Sequence, residues 1–160
     1  MRRQFDQQLA LLNRELIEMG ALCEEVIALA SKALTEGDPD MAARVAPLDT
    51  EIDQKERTIE SLCLKLLLQQ QPVARDLREI SSALKMISDM ERIGDQAADI
   101  ADLSKHIEDK AVTGDIINIR KMAEDTVRMV TESIDAFVKG DLELCRKVIC
   151  LLYTSPSPRD

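Results

Sequence analysis

The 160-residue chain sets 30 Asp and Glu against 21 Lys and Arg, for a net charge of −9 at pH 7. That balance excludes a binder of phosphate backbones, which needs clustered cations, so no nucleic-acid partner is expected. Aromatic residues make up only 2% of a composition that is 45% hydrophobic, so the core is built of Leu, Ile, Val, Met and Ala, residues that suit helix-on-helix packing. No apolar run reaches the roughly 20 residues of a membrane span, and the basic Met1–Phe5 has no apolar stretch behind it. The expectation is a cytoplasmic, all-α protein with no direct membrane insertion.

The first element is a long helix from about Arg3 to Glu36. Phe5, Leu9, Leu12, Leu16, Met19, Cys23, Val26, Ala30 and Ala33 recur at alternating steps of four and three, a heptad-type seam. Gly37 supplies a left-handed stop, Asp38 a cap, and Pro39 a first-turn residue. The second helix runs from Pro39 to about Gln70, with Val45, Leu48, Ile52, Ile59, Leu62 and Leu66 inward. Pro47 interrupts this pattern and predicts a kink or a restart. Pro72 is expected to open the third helix, whose inward residues are Leu77, Ile80, Leu84, Ile87, Ala97, Ile100 and Ile107. Short connections make sequential helices antiparallel, giving an elongated three-helix bundle over residues 1–110.

A partial second copy follows over residues 111–150. A shift of 103 positions carries Gly37 to Gly140, Asp38 to Asp141, Met19 to Met122, Val26 to Met129, Ala33 to Ala136, Leu34 to Phe137, Met41 to Leu144 and Val45 to Val148. The correspondence fails at residue 151. Leu151–Asp160 ends in two Ser-Pro steps that cannot continue a helix, and residues 151–160 are expected to be a foreign tail.

Two acidic quartets carry the functional signal. Asp49, Asp53, Glu56 and Glu60 share one helix face, as do Glu91, Asp95, Asp99 and Asp102. If the helices fold back near residue 72, positions whose numbers sum to 144 oppose each other, which pairs Asp49 with Asp95 and Asp53 with Glu91. Carboxylates gathered this way repel unless a cation or solvent offsets them. The candidate metal ligands are Asp49, Asp53, Glu91, Asp95 and Asp99. Glu91 lies at heptad spacing from Leu77 and Leu84, and Gly94 beside it costs about 1 kcal/mol in a helix interior, so something must approach the backbone there. Oxygen ligands favour a hard ion, Mg, Mn, Ca or Fe, over zinc. Local ion pairs from Arg57 and Arg92 are the alternative solution, and an ordinary solvated acidic face is the plain one.

Other signals are weaker. Cys23, Cys63, Cys145 and Cys150 show no zinc-ligand spacing and are expected buried and reduced. His106 lacks the Glu-x-x-His context of a di-iron bundle and is expected at the surface near a helix end. No nucleophile–base set or phosphate loop is present, so no catalytic activity is expected. Arg75, Asp76 and Arg78 put charged groups at the bundle tip, where surface ion pairing and partner docking are both open.

Four segments together resemble the PhoU family of phosphate-signalling proteins: Met1 to Leu9 (MRRQFDQQL), Leu48 to Asp53 (LDTEID), Gln70 to Arg78 (QQPVARDLR) and Met90 to Asp95 (MERIGD). The resemblance covers Met1 to about Cys150. It implies two tandem three-helix bundles and a negative regulator of the phosphate-starvation response. Such a regulator is a cytoplasmic adaptor between the ATPase subunit of a phosphate ABC transporter and a sensor histidine kinase, and a homodimer in the full-length form. It also implies that the acidic motifs Asp49-x-x-x-Asp53, Glu91-x-x-x-Asp95 and Asp95-x-x-x-Asp99 bind metal. Readings from other classes are a carboxylate-bridged metalloenzyme and a ligand-free helical scaffold.

Overall fold

A computed structural model describes residues 2–69, 72–107 and 113–154. Five helices follow in order: α1 (Arg2–Glu36), α2 (Pro39–Gln69), α3 (Ala74–Ser104), α4 (Thr113–Lys139) and α5 (Leu142–Thr154). There is no strand among the described residues. Helices α1, α2 and α3 pack against one another pairwise; α4 packs on α1, and α5 on α4 alone.

The heptad seam of α1 forms the spine of the core. Phe5, Leu12, Leu16, Met19, Cys23, Val26, Ala30 and Ala33 are all buried, and Leu9 packs against them from the edge. Each buried Leu, Ile or Met contributes about 1.5–3 kcal/mol by leaving water. The stop after α1 is as the sequence predicts. Gly37 has φ 62°, its N–H donates to Ala33 O at 2.9 Å, and Asp38 Oδ1 accepts from Asp40 N–H at 2.9 Å. The same device recurs at the predicted offset: Gly140 has φ 66° and Asp141 Oδ1 accepts from Leu144 N–H at 3.0 Å.

Several expectations are corrected. Helix α2 runs as one element through Pro47, with no restart. Pro47 is exposed, so the carbonyl it leaves unbonded can be met by solvent. Pro72 does not open α3; Val73 stays extended (ψ 163°) and the helix begins at Ala74. The inner face of α3 is Ile80, Ala83, Ile87, Met90, Gly94, Ala97 and Ala101, so Leu77 (47% exposed), Ile100 and Ile107 fall outside the core. The true seam takes small residues between larger ones and is offset from the Leu77–Leu84 row, so Glu91 flanks the seam instead of breaking it. Cys23 and Cys63 are buried, but Cys145 is half-buried and Cys150 exposed, because α5 buries no residue. Helix α5 runs to Thr154, ending before the two Ser-Pro steps, which lie outside the described residues.

Candidate metal centre

Helices α2 and α3 pack with Gly94 directly beneath Asp49. A Cβ on Gly94 would meet Asp49 Oδ1 at 2.7 Å and Ile52 Cδ1 at 3.2 Å. The missing side chain lets the helices close until Asp49 and Asp53 of α2 meet Asp95 of α3. One carboxylate oxygen each from Asp49, Asp53 and Asp95 lies within 4.8 Å of the others. Asp49 and Asp53 are half-buried and Asp95 is exposed, so the cluster is open to solvent on its α3 side.

Electrostatics extend the cluster both ways along the groove. Burial raises the Asp49 carboxyl above its ordinary range, and the charges of Asp53, Asp95 and Asp99 push it further. Asp99 is exposed, and its charge reaches Asp49 less strongly than those of Asp53 and Asp95. Glu91 is raised first by burial, then by the charges of Asp95 and Glu56, by a hydrogen bond with Asp95 that needs the proton, and by Asp53. Glu56 is raised by burial and by Glu60, Asp53 and Asp95, against a smaller lowering from Arg57. Of the five predicted ligands, Asp49, Asp53 and Asp95 converge, while Glu91 and Asp99 are tied to that trio through their charges. Glu56 is tied to it in the same way, through Asp53 and Asp95. Its place in the α2 quartet was the signal for it, since it stands one turn beyond Asp53 on the same face.

Nearby guanidinium groups offset the charge only through space: Arg57 lowers the Glu56 carboxyl without touching it. Neither Arg57 nor Arg92 forms an ion pair among the described residues. Arg92 points to another side of α3, where it lines a groove with Ile93 and Gln96 facing α1 and α4. The outermost acid of the α3 quartet, Asp102, pairs instead with Lys105 Nζ at 2.6 Å.

The donor set fits a hard cation. Asp49 Oδ1 and Asp53 Oδ1 are buried and accept no hydrogen bond within the protein. A buried polar atom left so costs about 1–3 kcal/mol, more when charged. All the converging atoms are carboxylate oxygens, the chemistry of Mg²⁺, Mn²⁺, Ca²⁺ or iron rather than of zinc.

The second predicted cluster lies at the start of α3. Arg75 and Arg78 are exposed and Asp76 half-buried in the first turn of α3. His106 is exposed just past the end of α3, its Nδ1 3.0 Å from Asp102 O, where the helix dipole favours a cation.

The PhoU domain model matches residues 16–104, the stretch that builds the core and the acidic groove. The chain belongs to the PhoU family. It is 34% identical over 147 residues to the phosphate-specific transport system accessory protein PhoU homolog of Pseudomonas aeruginosa, covering 91% of this chain and 61% of that protein. A homolog from Clostridium acetobutylicum is 34% identical over 151 residues, with 91% of this chain and 69% of that protein covered. Among solved structures, PhoU from P. aeruginosa superposes with a TM-score of 0.81 at 31% identity, over 94% of this chain and 76% of that one. The phosphate transport system regulatory protein PhoU from Streptococcus pneumoniae gives a TM-score of 0.80 at 27% identity, over 90% and 68%. The chain spans about three fifths of the length of the first of these curated relatives. As a PhoU-family protein it shares their all-α bundle architecture.

Proposed function

We propose that the chain is a cytoplasmic regulator of phosphate transport, acting by protein–protein contact and not by catalysis. Its partners on this reading are the ATPase subunit of a phosphate ABC transporter and a sensor histidine kinase, which it holds inactive while phosphate is plentiful. The PhoU match across the core bundle supports the phosphate system, and the relatives' names place them there. The observation that carries the metal part is the trio of Asp49, Asp53 and Asp95 with two orphaned buried oxygens.

Asp49, Asp53 and Asp95 would hold a divalent or trivalent ion, with Glu91 and Asp99 as flanking carboxylates. The ion would supply positive charge that offsets their mutual repulsion. The chain's own part is positional: Gly94, packed against Ile52, fixes how near α2 and α3 come. With the groove neutralised the two helices are tied together, and the tip carrying Arg75, Asp76 and Arg78 is stiffened for docking. No described helix is long and apolar enough to cross a membrane, so contact with the transporter falls to such surfaces. The test is capture of the purified transporter ATPase by the immobilised chain with and without Mn²⁺. Metal-dependent retention that is lost in Asp53→Asn/Glu91→Gln is expected. Absence of retention with metal present would overturn the adaptor role.

A further inference from the structure

The chain carries its net charge of −9 unevenly. Residues 113–160 hold seven basic and eight acidic side chains, so nearly all of that charge belongs to residues 1–112. Within the near-neutral part, cations gather on one side of the α4–α5 hairpin. Arg128 of α4 and Arg146 and Lys147 of α5 line a cavity of about 460 Å³ in which the one acid is Glu132. Arg146, Cys150 and Thr154 stand at offsets of four and eight along α5, so they form one wall.

These cations have few internal partners. Among the described residues neither Arg146 nor Lys147 forms an ion pair, and Arg128 meets only Asp125 of its own helix, at 3.4 Å. The side they occupy is also not one that a third helix covers. At the 103-residue offset Arg128, Arg146 and Lys147 correspond to Glu25, Ala43 and Arg44, which are exposed although α3 packs on both α1 and α2.

Length and continuity decide the occupant. Arg128 also lines a second cavity, of about 480 Å³, between α1 and α4, together with Lys32 and Arg120. There Arg120 meets Glu36 at 3.6 Å, and Lys32 forms no ion pair among the described residues. The two cavities share Arg128 and so make one cationic track from Lys32 to Lys147, longer than a single oxyanion can use. A nucleic acid needs more phosphate contacts than this track offers, and the acidic first bundle would repel it. We infer that the track docks an acidic segment of a partner protein, whose carboxylates pair with Arg128, Arg146 and Lys147. The inference builds on the contact-based role proposed above, but it uses residues other than Arg75, Asp76 and Arg78 and needs no metal.

The test is fluorescence anisotropy of a fluorescein-labelled peptide of repeating Glu-Glu-Ala-Ala units, titrated with the chain in chelator. The wild type is expected to bind with a Kd of about 100 μM in about 50 mM salt, and several-fold more weakly in about 200 mM as the Debye length shortens. Arg146→Glu/Lys147→Glu should bind about tenfold more weakly, with unchanged far-ultraviolet circular dichroism, since both positions are exposed. Lys121→Glu/Lys139→Glu changes the net charge equally at exposed positions outside both cavities, and should bind within about twofold of wild type. No binding to the wild type, undiminished binding to the α5 variant, or an equal loss in both variants would each overturn the inference. So would displacement of the peptide by inorganic phosphate at matched ionic strength, or equal affinity for a single strand of oligothymidylate. A small oxyanion or a nucleic acid would then be the occupant. The probe is synthetic, so these outcomes are independent of whether the transporter ATPase is captured.

Discussion

Replacing Gly94 by Ala separates fold stability from metal affinity. In an exposed helix interior the change stabilises by about 1 kcal/mol, because Gly is the poorer helix former. Here the new Cβ would stand 2.7 Å from Asp49 Oδ1 and 3.2 Å from Ile52 Cδ1. The first distance forces the carboxylate to rotate away, and the second requires a small shift of a buried methyl. Overpacking of this kind costs about 1–3 kcal/mol when the neighbours cannot yield. Both obstructing atoms are side-chain ends, so the cost lies at the low end and largely cancels the propensity gain. Chelated Gly94→Ala should therefore melt within about 1 kcal/mol of wild type. Metal binding should fall by about 10–100-fold, the usual effect of disturbing a group that positions a metal ligand. At saturating ion that removes about 1.4–2.7 kcal/mol of ligand-linked stability. Thermal melts in chelator and in millimolar Mn²⁺ read both quantities. A variant that melts like wild type in both conditions would refute the placement of Asp49 over Gly94 as a ligand.

Three further outcomes follow from named contacts. Asp49, Glu56 and Glu91 have carboxyls raised in the folded state, so the folded protein holds their protons more tightly than the unfolded chain. In chelator their contribution is largest below the unfolded carboxylate range of about 4 and is lost as pH rises through the folded values. Chelated protein should thus melt higher at pH 5 than at pH 7.5, Asp49→Asn should flatten that slope, and a melting point that falls on acidification over this range would count against the reading. A Cβ at Gly20 would sit 2.3 Å from Ile134 Cδ1 on α4; Gly20→Ala should loosen α4 from α1 at a net cost of about 1–2 kcal/mol, seen as faster hydrogen exchange in α4 with α2 and α3 unchanged. Lys55 donates to both Glu15 and Glu18 across the α1–α2 contact, and partial exposure screens the pair, so Lys55→Met should cost no more than about 1 kcal/mol by chemical denaturation.

Much of this protein is legible in sequence because its helices obey one period. The α1 seam, the Gly37 stop and the Asp38 cap each specify local geometry without help from elsewhere, and the 103-residue repeat carries the same devices to Gly140 and Asp141. The acidic groove was legible for a less local reason: a turn near residue 72 fixes the antiparallel register, and Gly94 marks where the backbones close. The inner face of α3 was not legible from apolar content alone. Its seam uses Ala83, Gly94, Ala97 and Ala101, and larger residues such as Leu77 and Ile100 on the flank carry a stronger apolar signal while facing water. Glu56 was visible in the α2 quartet, but only the packed structure shows which acids of each row feel one another. The incomplete burial of Cys145 and the exposure of Cys150 follow from α5 lacking a covering helix among the described residues, a fact of tertiary packing that no local pattern encodes.

The central claim is that acidic rows from α2 and α3 converge to hold a hard cation. Its most direct test is calorimetric titration of Mn²⁺ into chelator-treated wild type and into Asp53→Asn/Glu91→Gln, with circular dichroism confirming equal helicity. Saturable binding to the wild type that weakens at least tenfold in the double variant is the predicted result. Equal affinity in the two proteins, or no heat of binding to the wild type, would contradict it.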